Sequence, residues 1–94
     1  MNGYETTIEV AKTEAHDRVA IAIGTHVVAY RPYDALRISG DLLDAVEGCT
    51  VDELTPITFA GHLRIGVTAE NARTIARAIA TTADQLLDEA EYEF

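Results

Sequence analysis

Between Thr68 and Glu91, apolar residues recur at Ala72, Ala76, Ile79, Ala83, Leu86 and Ala90, in steps of four, three, four, three and four. No other segment restricts the fold so tightly. A period of 3.6 residues puts all six on one side of an α-helix, with Ile75 and Leu87 beside them. Four of the six are alanine. Such a narrow, methyl-lined edge lets another backbone come close, whether a sheet, a neighbouring helix or a second copy. Thr68 is suited to cap this helix, because its hydroxyl can accept from a free N–H of the first turn. The spacing predicts a helix over 69–91.

The opposite side carries Glu70, Arg73, Arg77, Thr81, Asp84 and Asp88. Glu70 with Arg73, and Arg77 with Asp84, are within a turn or two, and such pairs are worth about 0.2–0.5 kcal/mol each. The last eleven residues hold Asp84, Asp88, Glu89, Glu91 and Glu93 and no base. A helix C-terminus is partially negative, so acid there is unfavourable by about 0.3–1 kcal/mol per well-placed charge. Either this end frays or a basic surface meets it. Tyr92 and Phe94 add aromatic anchors, and residues 89–94 read as an acidic docking tail. Its deletion is expected to leave folding intact and to remove partner binding.

The rest of the chain supplies strands and one shorter helix. Residues 4–12 alternate, with Tyr4, Thr6, Ile8 and Val10 on one side and Glu5, Thr7 and Glu9 on the other, as in a half-solvated strand. Residues 13–17 form the turn after it. Val19, Ile21 and Ile23 alternate with Ala20 and Ala22, and the pattern breaks at Gly24–Thr25 before Val27, Val28 and Tyr30. Glycine at the first central position suits a two-residue type II′ turn, giving strands at 18–23 and 26–31. One long strand bulged at Gly24 is the alternative. Pro32 opens a helix whose apolar positions are Ala35, Ile38, Leu42 and Val46, with Gly48 as its stop. Gly40 weakens it, and a break at Ser39–Gly40 is the second reading. Residues 49–56 read as a connector ended by Pro56. Residues 57–67 alternate almost without fault and predict one strand with a kink at Gly61. A shift of 37 residues lays Gly24 on Gly61, Ala35 on Ala72, Ile38 on Ile75 and Leu42 on Ile79. That echo is either chance or the mark of two ββα halves behind one sheet. The expected fold is α+β: a mainly antiparallel sheet of three to five strands with two helices on one face, in the order β-β-β-α-β-α.

At 94 residues this is one domain. It buries only about 60–65% of its unfolded surface, so part of its apolar area invites a partner. The net charge is −9, a field that repels nucleic acid and anionic membranes and favours basic protein surfaces. No apolar run is long enough to span a membrane, and "MNGYETTIEV" is not a secretory leader. A cytoplasmic location, with Cys49 alone and reduced, is the expectation.

The residues with reactive chemistry are few. His16, His26 and His62 lack the spacing of a zinc site. Cys49 has no histidine near it, and no phosphate loop or nucleophile elbow is present. No cofactor, metal or catalytic residue is assigned, and the chain is not expected to be an enzyme.

The stretch "RIGVTAENARTIARAIATTAD" resembles a strand–Thr–helix ending that recurs in small uncharacterised actinobacterial and actinobacteriophage proteins. Thr68, Ala72, Arg73, Ala76, Ala78, Ile79, Ala83 and Asp84 carry the match. It covers about a quarter of the chain and implies a small accessory protein, phage-encoded and acting in a host cytoplasm.

These readings converge on a non-catalytic protein–protein interaction module whose partner is a second copy in a homodimer, a host protein with a basic surface, or both. The candidate partner-binding residues are Leu36 and Leu43 on the shorter helix, with Asp84, Asp88, Glu91, Tyr92 and Phe94 at the end of the longer one. Two alternatives stand beside it. One is an acidic nucleic-acid mimic that blocks a basic host protein. The other is a small enzyme or ligand-binding domain using His26 or His62 on an open sheet face.

Overall fold

The computed structural model of the chain describes residues 8–59 and 63–91. Its elements are β1 (Ile8–Lys12), β2 (Val19–Ile23), β3 (His26–Tyr30), α1 (Pro32–Ala45), β4 (Leu54–Phe59), β5 (Leu63–Thr68) and α2 (Ala69–Glu91). The class is α+β, as the periodicities require. Two antiparallel sheets are present, β1-β2-β3 and β4-β5. Tyr4, Thr6, Gly61, His62, Tyr92 and Phe94 lie outside the described residues.

The first hairpin follows the sequence closely. Gly24 takes φ 60°, and no positive φ falls on Thr25, as in a type II′ turn. Ile21 pairs with Val28 and Ile23 with His26 across it. Val19, Ile21 and Ile23 point inward and are buried.

The second hairpin corrects the sequence reading. Residues 57–67 do not form one kinked strand, and the connector does not reach Pro56. Leu54 already begins β4, and β5 pairs back on it with Ile57 opposite Ile65 and Pro56 opposite Gly66. Proline has no N–H to give, so its nitrogen must face away from β5, toward the free edge of the two-stranded sheet. A strand therefore tolerates it there, and the order gains one strand: β-β-β-α-β-β-α.

With that hairpin in place the 37-residue echo has a structural counterpart. β2-β3-α1 and β4-β5-α2 are two ββα units. Shifted by 37, β3 falls on β5 and the start of α1 falls on the start of α2. Each unit keeps its own sheet, where the sequence suggested one shared sheet.

α1 starts at Pro32 behind an extended Arg31, whose carbonyl accepts the Ala35 N–H at 2.9 Å. It runs unbroken through Ser39–Gly40 and ends before Gly48, which takes φ 81°. The Ser39 hydroxyl explains the continuity. It leaves its own helix and donates to the Ala76 carbonyl of α2 at 2.7 Å. That contact fixes the crossing point of two antiparallel helices, and the buried Ala35, Ala72 and Ala76 around it let the backbones approach.

The apolar stripe on α2 is buried as the periodicity predicts. Ala72, Ala76, Ile79 and Ala83 have no exposed surface, and Leu86 has 3%. Ala76, Ile79, Ala83 and Leu86 join the inward residues of β2 and β4, including Ile21, Ile57 and Phe59, in the main core, while Ala72 packs with Val46 and Ala69 in a smaller cluster. Each large side chain buried this way contributes about 1.5–3 kcal/mol.

Candidate interaction surface

The first turn of α2 shows why its amino end is not a ligand site. Three N–H groups there have internal acceptors. Ala69 donates to the Glu53 carbonyl at 2.9 Å and Glu70 to the Val51 carbonyl at 3.1 Å. Asn71 donates to the Thr68 hydroxyl at 3.2 Å, the cap expected from the sequence. The connector thus closes the helix end with its own carbonyls.

Arg73 does not pair with Glu70. Its guanidinium donates to the carbonyls of Val46 at 3.1 Å and Cys49 at 3.3 Å. α1 has no base in its last turn, and Arg73 from α2 supplies the missing cation to its carbonyl end.

The acidic end of α2 is relieved in the same manner. Lys12 Nζ donates to Glu89 Oε1 at 2.5 Å. His16, held at φ 56° in the turn after β1, places Nδ1 3.4 Å from Glu89 Oε2. The hydrogen bond from Lys12 holds the Glu89 carboxyl below the ordinary value of 4.5, against a smaller opposing effect of burial. Sequence spacing gave no sign of a partner 77 residues away. So Glu89, placed by the sequence in a free docking tail, is bound to the chain's own lysine. Asp84 and Asp88 remain exposed on the outer side of α2. The Glu91 side chain lies outside the description.

Leu36 and Leu43 do not form a continuous ridge. Leu36 packs against the core, while Leu43 is 43% exposed. Cys49 is half-buried, and its thiol is pushed up chiefly by a hydrogen bond with Glu53, which makes it a poor nucleophile. His26 is exposed at the start of β3. Among the described residues, no group of three or more His, Cys, Asp or Glu is placed to hold a metal ion. No helix among them is long and apolar enough to cross a membrane. A shallow depression of about 220 Å³ lies between β1, β5 and α2, with Ile8, Val67, Asn71, Thr74 and Ile75 around it and no acid or histidine among the described residues.

The surface that sequence reasoning missed is the outer face of the first sheet. Register sets Ala11, Ala20 and Ala29 side by side in one cross-strand row, and Glu9, Ala22 and Val27 in the next. Ala11 and Ala29 are exposed, and Val27 is 67% exposed. The helices pack on the opposite face. The alternation of Ala20 and Ala22 with the buried isoleucines was visible in the sequence. Their alignment with Ala11 and Ala29 depends on a register that only the paired strands reveal.

The chain matches no protein-family model, no curated protein and no solved structure. Its function is therefore argued from its own surfaces.

Proposed function

We propose that this protein is a small, acidic, non-catalytic interaction module that binds protein, including a second copy of itself. The observation that carries this reading is the outer face of the first sheet, where four alanines and Val27 form a flat apolar floor open to solvent. Antiparallel sheets commonly leave one face to water, and that face then reads polar. The outer side of the second hairpin is mixed, with Thr58, Arg64 and Thr68 beside Pro56, Gly66 and Leu54, which is 72% exposed. A net charge of −9 favours protein partners over nucleic acid or anionic membrane.

Sedimentation equilibrium with increasing protein concentration tests the reading. A reversible rise in average mass beyond the monomer is expected. A strict monomer up to millimolar concentration, with concentration-independent NMR shifts for Ala20, Ala22, Val27 and Ala29, overturns the self-association.

A further inference from the structure

We infer that two copies of the chain pack the outer faces of their three-stranded sheets together about a two-fold axis that lies between the sheets, passing over Ala20, with Glu9 of each copy opposite Arg31 of the other. This inference rests on the self-association proposed above and specifies its geometry.

The two ββα halves provide an internal control. Positions 20, 22, 27 and 29 correspond to Pro56, Thr58, Arg64 and Gly66, allowing for the one extra residue in the second hairpin loop. Where the second half presents a proline, a threonine, an arginine and a glycine, the first presents alanine, alanine, valine and alanine, and in the next row an exposed Leu54 with Thr68 stands where the first has Arg18 with Arg31. Small side chains leave the sheet flat enough for a second sheet to lie on it.

Charge selects the occupant. The chain as a whole repels a copy of itself, but this face is locally balanced. Glu9 stands at one corner on β1. Arg31 stands at the diagonal corner, where the extended backbone after β3 continues the strand alternation. Both side chains are exposed and neither has an ion pair among the described residues. Arg18 precedes Val19 as Arg31 follows Tyr30, so the two arginines share one row, and Arg18 is partly neutralised by Asp17 at 4.0 Å.

Strand geometry puts Glu9 and Arg31 each roughly 8 Å from Ala20 on opposite sides. A two-fold axis parallel to the sheets and perpendicular to the Glu9–Arg31 diagonal therefore sets each opposite the other in the facing copy. That arrangement is self-complementary and closed, with no free face left to propagate a fibre. The footprint is small, roughly 14 by 17 Å by strand spacing, so the dimer is a weak, rapidly exchanging one.

Sedimentation equilibrium on the full chain and four variants tests the geometry. Ala20→Glu, at the centre, is expected to abolish the dimer. Glu9→Arg and Arg31→Glu, each placing like charges opposite one another, are expected to weaken it about tenfold. The double variant is expected to return to within about twofold of the wild type. Both charge changes lie at exposed positions, so they remain informative if Ala20→Glu fails to fold. A wild-type dimer untouched by the single charge changes overturns this interface and leaves self-association standing. Weakening without rescue in the double variant overturns the Glu9–Arg31 pairing. A monomeric wild type overturns both.

Discussion

Glu89 sits where a helix least accommodates a carboxylate, and a single lysine from a distant strand makes the position tenable. Lys12 follows Ile8 and Val10 on the inward side of β1, so its stem lies along α2 and its ammonium reaches the helix end. Arg73 does the same for α1 through the Val46 and Cys49 carbonyls. Neither helix has a base in its own last turn, and each takes one from another element. Because the folded Glu89 carboxyl lies below 4.5, its contribution to stability is present above that value and is lost as pH falls through the depressed folded value. Glu89→Gln is expected to lower the melting temperature at neutral pH and to flatten the acid limb of the stability profile below 4.5. Solvent screening keeps the effect modest. Thermal melts of wild type and variant across the acid range check this. Parallel loss of stability in both would show that the pair contributes nothing.

At the scale of elements, the difference between the two hairpins explains what the sequence could and could not reveal. The first turn has two residues, so the inward set changes parity, from Val19, Ile21 and Ile23 to Val28 and Tyr30. The break is visible in the sequence. Three residues separate β4 from β5. Inward residues keep the same parity in both strands, from Ile57 and Phe59 to Ile65 and Val67, and the alternation imitates one continuous strand. Pro56 compounded the error, because proline marks a strand boundary unless its nitrogen faces a free edge. α2 was legible because a capped 3.6-residue period over more than five turns has few competing readings, whereas the shorter α1 left a break at Ser39–Gly40 open. Their tertiary cations were not legible, since ion pairs between residues far apart leave no local pattern. Gly40 offers a test of α1 as a continuous helix. A Cβ built there meets nothing within 4 Å, and the residue is exposed in mid-helix. Gly40→Ala is expected to stabilise the protein by about 0.5–1 kcal/mol. The urea midpoint should rise with the slope unchanged; a fall would mean that the helix needs the flexibility of glycine at that point.

For the molecule as a whole, the question is whether two ββα units make two folding units or one. The first keeps β1, β2, β3 and α1, and the second keeps β4, β5 and α2, yet neither encloses its own core. Ile21 and Ala35 from one half share a cluster with Phe59, Ile79 and Leu86 from the other. The helix pair meets at Ser39 and Ala76, equivalent positions in the two halves. A chain of about 50 residues rarely buries enough apolar surface to fold alone, and cutting this one divides the core through its centre. Fragments 1–48 and 49–94 are therefore expected to be largely unfolded by circular dichroism when separate. Mixed at high concentration, they are expected to recover helical signal, because the divided core is restored when the halves meet. The intact chain should unfold in one transition, with the same midpoint from backbone and tyrosine signals. If fragment 49–94 gives a cooperative melt alone, the second ββα unit is autonomous. The Ser39–Ala76 crossing would then be a contact between two small folds, and the shared core could no longer be what holds either half together.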